Sequence, residues 1–211
     1  MFAREFFPDS KRGQLPIVPA CEACNNAKSA LEHYLTAVLP FGGRHPDSHA
    51  MLREAVPRRL ARNRKLHREL VAGSMSLAGD EKGQRVESLV VPFDSNKYVK
   101  LFNYIARGLT AYHWQVVVPV GHEVEAVLLN PVYEPHYRRL LSLPAGARVD
   151  ESVGDGAFVY RGAQAIDGPA LTIWWFQTFG GLVMAGDNHL PEPHAYTVWV
   201  TTGWGHGDRE P

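Results

Sequence analysis

The only two cysteines of the chain, Cys21 and Cys24, form one Cys-x-x-Cys that runs into Asn25, Asn26, Ala27, Lys28 and Ser29. Thiolates at this spacing can bite a single zinc ion, because a tight turn aims both sulfurs at a common point. A structural zinc takes four protein ligands, and the pair supplies two. One short loop staples too little chain for a disulfide scaffold. Three chemistries stay open on the pair alone: half a zinc site, a redox dithiol, or two buried free thiols. The redox reading calls for a strand leading into the motif, and Pro16-Ile17-Val18-Pro19 is too broken by proline to be one.

A second group is cationic. Arg53, Arg58, Arg59, Arg62, Arg64, Lys65 and Arg68 crowd one helical stretch in which Glu54 and Glu69 are the only acids. Spacings of three and four put several on one face, where each can neutralise a phosphate. Arg58, Arg59 and Arg62 are the candidate nucleic-acid contacts; the alternative is a solvated face with Leu60, Leu66 and Leu70 turned inward. The chain as a whole carries no net charge, yet residues 1–75 hold 12 Lys/Arg against 7 Asp/Glu. His45 and His49 flank Asp47, which can be a metal cluster or the plain start of a helix. His33 reads as a surface or packing residue, and His189, His194 and His206 are scattered. Trp174, Trp175 and Phe176, with Phe179 and Trp199, can stack bases or fill both sides of a sheet; strand alternation puts Trp174 and Phe176 on one face and Trp175 on the other. No Ser-His-Asp signature or phosphate-binding glycine loop is present.

The elements that must position these residues follow from periodicity. Residues 1–24 look irregular, punctuated by Pro8, Gly13, Pro16 and Pro19. From Asn25, Ala27, Ala30, Leu31, Tyr34, Leu35 and Val38 recur at helical spacing, and Pro40 with Gly42-Gly43 is expected to end that helix. A second helix is expected from an N-cap at Ser48 to about Ala72, broken or kinked at Pro57 and stopped by Gly73. Ser74–Glu87 is polar and reads as a linker. A third helix is expected over Asn96–Tyr112, capped by Asp94 or Ser95. Short strands are expected at Gln115–Val120, Glu123–Leu129, Ala157–Arg161, Leu171–Phe179, Gly181–Ala185 and Ala195–Thr201, with a short helix near Tyr133–Leu141. Gly154-Asp155-Gly156 and Gly180-Gly181 read as turns. The fold class is α+β: a small helical knuckle module over 1–73, a linker over 74–87, and a mostly antiparallel sheet domain over 88–211. No apolar run approaches the roughly 20 residues of a membrane span, and the N-terminus lacks a signal-like apolar region, so a cytoplasmic protein is expected.

Cys21-x-x-Cys24-Asn25-x-x-Lys28 resembles the second cysteine knuckle of HNH endonucleases, and Leu31-Glu32-His33-Tyr34 with Leu39-Pro40-Phe41-Gly42-Gly43 resembles a bacterial subfamily of them. The resemblance is specific over roughly residues 1–45. It implies that Cys21 and Cys24 are half of a structural Zn²⁺ site and that Asn25 ligates a catalytic Mg²⁺ or other divalent ion. It also implies that Lys28 contacts phosphate and that DNA is the partner. In the family the histidine of an upstream Glu-His activates the water that attacks the phosphodiester. Here Phe2-Ala3-Arg4-Glu5-Phe6-Phe7-Pro8 resembles the stretch after that Glu-His, and Met1 takes the place of a common valine. The middle asparagine has no clear counterpart; Gln14 is the nearest amide and takes no role.

The resemblance implies an HNH-type endonuclease-like protein that is expected to be N-terminally truncated and inactive as it stands, with Met1 expected to be an internal residue of a longer frame. On this reading the first 20 residues have little to pack against. The alternative is a non-catalytic nucleic-acid- or protein-binding protein with a relic knuckle; a third reading uses Cys21 and Cys24 for redox chemistry. With half a site per chain, zinc can also bridge a homodimer.

Overall fold

The computed structural model describes residues 1–13, 15–81, 84–119, 121–184 and 195–203. Gln14, Val120, Ala185, His189, His194 and His206 therefore lie outside the described residues. Four helices come first: α1 (Glu22–Gly42), α2 (Pro46–Arg53), α3 (Ala55–Arg62) and α4 (Arg64–Gly73). A hairpin of β1 (Met75–Glu81) and β2 (Gln84–Val90) leads to the long helix α5 (Ser95–Trp114). Strands β3 (Glu123–Leu129), β4 (Ala147–Val153), β5 (Phe158–Ala165), β6 (Gly168–Thr178) and β7 (Thr197–Gly203) follow, with α6 (Glu134–Ser142) between β3 and β4. They form one antiparallel sheet in the order β3-β7-β6-β5-β4. The fold is α+β, as its patterning predicts.

Alternation along the strands gives the sheet two apolar faces. Tyr160, Trp174, Phe176, Val198 and Val200 point to the helix side, where they meet Leu35 and Leu39 of α1 and Leu101, Phe102, Ile105 and Leu109 of α5. Gly162 makes room there, because a Cβ at that position would come within 2.5 Å of the Trp174 ring. Trp175, Trp199 and Leu129 point the other way and are covered by Tyr137 and Leu141, from α6. The aromatic residues of β6 and β7 are thus core on both sides of the sheet, and they are not available to stack bases.

The N-terminal segment departs from expectation. Two short 3₁₀ turns, Arg4–Phe6 and Asp9–Lys11, fold it back, and Phe2, Phe6 and Phe7 are buried. Their rings sit 5.5, 5.2 and 5.2 Å from that of Phe158 on β5. Far from having little to pack against, the first residues complete the main core. The reason is that three aromatic rings spaced along an irregular segment reach a strand whose inward residues are themselves aromatic. That core also crosses the 74–87 segment read as a linker: Phe2 and Leu35 share it with Tyr98 and Trp174. The segment itself pairs as the β1–β2 hairpin, Met75 opposite Val90 through Glu81 opposite Gln84.

Other boundaries moved for local reasons. Pro40 lies inside α1, which continues to Gly42. The expected second helix is three. Its cap is His45 in place of Ser48, with Pro46 in the first turn. The first break falls at Glu54, ahead of Pro57, because a proline is tolerated in a helix's first turn but clashes with the carbonyl four residues back. Asn63 makes the second break and caps α4, accepting the Leu66 N–H at 3.1 Å. For α5, Asp94 is the cap, accepting the Lys97 N–H at 3.0 Å.

Gln115–Val120 is not a strand in its described part. Gln115 takes a left-handed conformation (φ 57°) that ends α5. Arg107 then takes up the carbonyls of Val118, Pro119 and His122 at 3.1, 3.3 and 3.0 Å. The strand expected from Gly181 reduces, in its described part, to isolated bridges from Leu182 to Gly43 and Tyr196. Gly180 and Gly181 turn the chain there with φ of 73° and 93°. The Gly154-Asp155-Gly156 turn joins β4 to β5, with all three residues at positive φ.

Candidate metal and nucleic-acid site

Cys21 is the N-cap of α1, and its sulfur accepts the backbone N–H of Cys24 at 3.3 Å. The turn closes further through Asn25 N–H donating to the Cys21 carbonyl at 2.9 Å. Both thiols are exposed, which removes the reading of them as buried core residues. The Cys24 thiol and the backbone N–H groups of Cys24 and Ala23 stabilise negative charge on Cys21 and lower its pKa. The same thiol pairing raises that of Cys24. Cys21 is therefore the more acidic sulfur and the better first ligand for a soft or borderline cation. Residues 16–20, ahead of the motif, are not a strand, so the setting expected for a redox dithiol is missing there.

The donor set stops at two sulfurs. Among the described residues no group of three or more His, Cys, Asp and Glu side chains converges to hold a metal. Asn25 follows Cys24 directly, in the first turn of α1, and is exposed. His33 is nine residues beyond Cys24 on the same helix, roughly 14 Å along its axis, and is out of reach. The described residues thus bring two sulfurs together with Asn25 exposed beside them, and by themselves they complete no metal site.

Lys28 lies one turn beyond Asn25 and forms a short ion pair with Glu32. Both side chains are largely covered. The Met1 ammonium group lies near this pair and donates to the Pro16 carbonyl at 3.3 Å. Lys28 is committed within the fold instead of being held out for phosphate.

The three arginine candidates separate. Arg59 is half-buried; it donates through Nη1 to the Thr36 carbonyl at 2.8 Å and through Nη2 to the Glu5 carbonyl at 2.6 Å. Arg58 and Arg62, one turn apart on α3, are exposed and form no ion pair among the described residues. Arg53, Arg64 and Arg68 are likewise exposed. Lys65 is only loosely paired, 3.9 Å from Glu69. Leu66 and Leu70 are buried against Ala37 and Val38 of α1, so helix α4 keeps its cations outward. The result is a cationic surface spread over α2, α3 and α4.

His45 and Asp47 belong to a structural knot. Lys11 donates to both Asp47 carboxylate oxygens at 2.9 Å and pairs with Asp155 at 3.2 Å. His45 accepts the Asp47 N–H on Nδ1 at 3.2 Å, and its Nε2 is 3.1 Å from the Asp155 carbonyl. The two bonds together select the neutral Nε2–H tautomer, which here ties α2 to the β4–β5 turn. His49 is exposed, and neither histidine acts as a metal ligand with the other.

One feature has no counterpart in the expected site residues. A cavity of about 870 Å³ opens between Ser10, Lys11, Gly13, Leu15 and Pro16 of the N-terminal segment, Tyr112 and His113 at the end of α5, and Glu151–Asp155 with Tyr160. His113 Nε2 lies 3.1 Å from the Tyr160 hydroxyl. Burial lowers the His113 pKa and raises that of Tyr160, so both are neutral at pH 7. The only sequence signal was Glu151, an acid placed between Val149 and Val153 on the apolar side of a strand that was itself not anticipated. No helix of the described residues is long and apolar enough to cross a membrane. Comparison with known protein families, with curated proteins and with solved structures finds no match to this chain.

Proposed function

We propose that this chain is an HNH-endonuclease-like, cytoplasmic DNA-binding protein in which Cys21 and Cys24 supply half of a structural zinc site. Its basic helices α2–α4 hold duplex DNA by its phosphates. The observation that carries the reading is the cationic surface of Arg53, Arg58, Arg62, Arg64 and Arg68, exposed and without ion pairs among the described residues, in the same chain as an exposed Cys-x-x-Cys that caps a helix. Fixed cations without internal partners gain affinity by releasing the counterions condensed on DNA.

Hydrolysis is a further step. In the family mechanism it needs a metal-bound oxygen-ligand set and an imidazole to take the proton of the attacking water. Asn25 can contribute one ligand oxygen. Among the described residues no imidazole accompanies it, so the activity supported for the chain alone is binding. Bound Zn²⁺ would fix the knuckle turn, and Mg²⁺ or a similar ion would stabilise charge on the phosphate.

The test is duplex binding followed by fluorescence anisotropy over increasing salt, with a parallel nuclease assay in Mg²⁺ and Mn²⁺. Binding that weakens steeply with salt, without cleavage, is expected. Binding indifferent to salt would remove the DNA assignment, and metal-dependent cleavage by this chain would show that it carries a general base of its own.

A further inference from the structure

We infer that the cavity between the N-terminal segment, the end of α5 and the β4–β5 hairpin binds a guanidinium group, such as an arginine side chain, on the carboxylate of Glu151 and the ring of Tyr112. Its volume, about 870 Å³, is that of a ligand cleft and much more than a packing defect.

Glu151 sits opposite Tyr160 in the β4–β5 register, so the two side chains leave the same face of the sheet. That face is the apolar one: Val149 and Val153, the neighbours of Glu151 on it, pack against the main core. Glu151 is exposed and lines the cavity, and its carboxylate makes no hydrogen bond or ion pair among the described residues. It is near enough to His113 and Tyr160 to influence the charge of both, and yet neither neutralises it. An acid facing the apolar side of an edge strand can serve merely to discourage edge pairing. Here it also faces aromatic surface: Tyr112 is 44% exposed and stands edge-on to His113 with ring centres 4.9 Å apart.

The charges select the ligand. Lys11 is the only cation lining the cavity among the described residues, and its ammonium group is held by Asp47 and Asp155. Nothing is left over for a phosphate, which would meet the carboxylate of Glu151 without a cation beside it. A cation is attracted by that carboxylate. A guanidinium uses both features at once, because its planar fork matches a carboxylate and its face stacks on a tyrosine ring. An ammonium group can use only the charge.

The experiment titrates the intact chain with N-acetyl-arginine amide, following Tyr112, His113 and Glu151 by NMR, with N-acetyl-lysine amide and guanosine as the alternative probes. Saturable shifts at these residues with the arginine probe, weaker with lysine and absent with guanosine, are expected. Glu151→Gln should weaken arginine binding roughly tenfold, the loss of one charge-assisted pair. Tyr112→Ala should weaken it less, and both variants should melt as the parent does. No arginine response at millimolar probe would overturn the assignment, as would equal binding by Glu151→Gln or preferential binding of guanosine. A Glu151→Gln chain that merely self-associates, with arginine binding unchanged, would leave Glu151 as an edge guard and also overturn it.

Discussion

Arg59 donates to the carbonyl of Thr36, the acceptor that Pro40 leaves without a partner four residues further along α1. Proline has no N–H to return, so a helix running through Pro40 must find another donor for that buried group. Arg59 reaches it from α3, and its other nitrogen binds the Glu5 carbonyl. One guanidinium therefore lets α1 continue to Gly42 and pins the N-terminal segment beside it. Burial lowers its pKa, but a guanidinium remains charged throughout the working pH range.

This separates two classes of arginine within one turn. Arg59→Ala should destabilise the fold by about 2 kcal/mol, because charge-assisted bonds to two carbonyls are lost. Arg58→Ala with Arg62→Ala should leave the melting temperature unchanged and reduce the slope of log affinity against log salt by about two, one for each phosphate contact removed. Thermal melts and anisotropy titrations on the same preparations check both. A stable Arg59→Ala chain, or a double variant with an unchanged salt slope, contradicts the division.

The aromatic N-terminus makes a second prediction. Phe6 is fully buried, and its ring lies 5.2 Å from that of Phe158. Phe6→Ala should cost about 3–5 kcal/mol, the usual range for a large aromatic core deletion. Denaturant unfolding should show the midpoint falling with an unchanged slope. A loss below 1 kcal/mol, on the scale of ordinary surface substitutions, would mean that the segment is not part of the core.

His113 supplies a pH dependence. Its pKa is depressed from the ordinary 6.5, chiefly by burial, with Glu151 pulling the other way. Below about 6.5 the unfolded chain takes up a proton that the folded chain resists. The contribution of His113 is thus whole above that pH and is lost as the pH falls toward the depressed folded value. His113→Gln should show a flatter stability profile than the parent on the acid side of pH 6.5, with the two profiles parallel above pH 7.5. Urea melts across pH 5 to 8 measure the difference.

What could be read from residues alone depended on how local the determining contacts are. Glu123–Leu129 matches β3 end to end, because Val124, Ala126 and Leu128 alternate with glutamates over a full strand. Helix α5 was equally plain, its buried residues recurring every three or four positions. Strand β4 escaped because an edge strand needs few apolar residues, and Arg148, Asp150 and Ser152 look like loop. The 74–87 segment looked like a linker because its polar residues form a two-stranded hairpin with little to bury. In the site, the Cys-x-x-Cys is self-announcing since both sulfurs belong to one turn. The Lys28–Glu32 pair is an i,i+4 contact within one helix and follows from spacing, whereas the role of Arg59 was hidden because Glu5 and Thr36 meet it only after folding. The cavity was out of reach of any window, since its walls come from three distant parts of the chain.

The last prediction concerns zinc. A tetrahedral ion needs four ligands, and the described residues bring Cys21 and Cys24 alone. The histidines nearest in the chain do not complete the set. His33 is too far along α1, and His45 spends both ring nitrogens between Asp47 and Asp155. The exposed sulfurs of one chain can, however, meet those of a second, and two such pairs make a four-thiolate site. Purified chain should therefore hold half a zinc or less per monomer, and any bound zinc should be accompanied by a dimer that dissociates on chelation. Cys21→Ser should abolish both, while the monomer keeps its melting temperature, because neither thiol is part of the core. Metal analysis combined with light scattering decides the matter. One tightly held zinc per monomer, with no dimer, would mean that this chain supplies further ligands of its own, and the half-site description would fall.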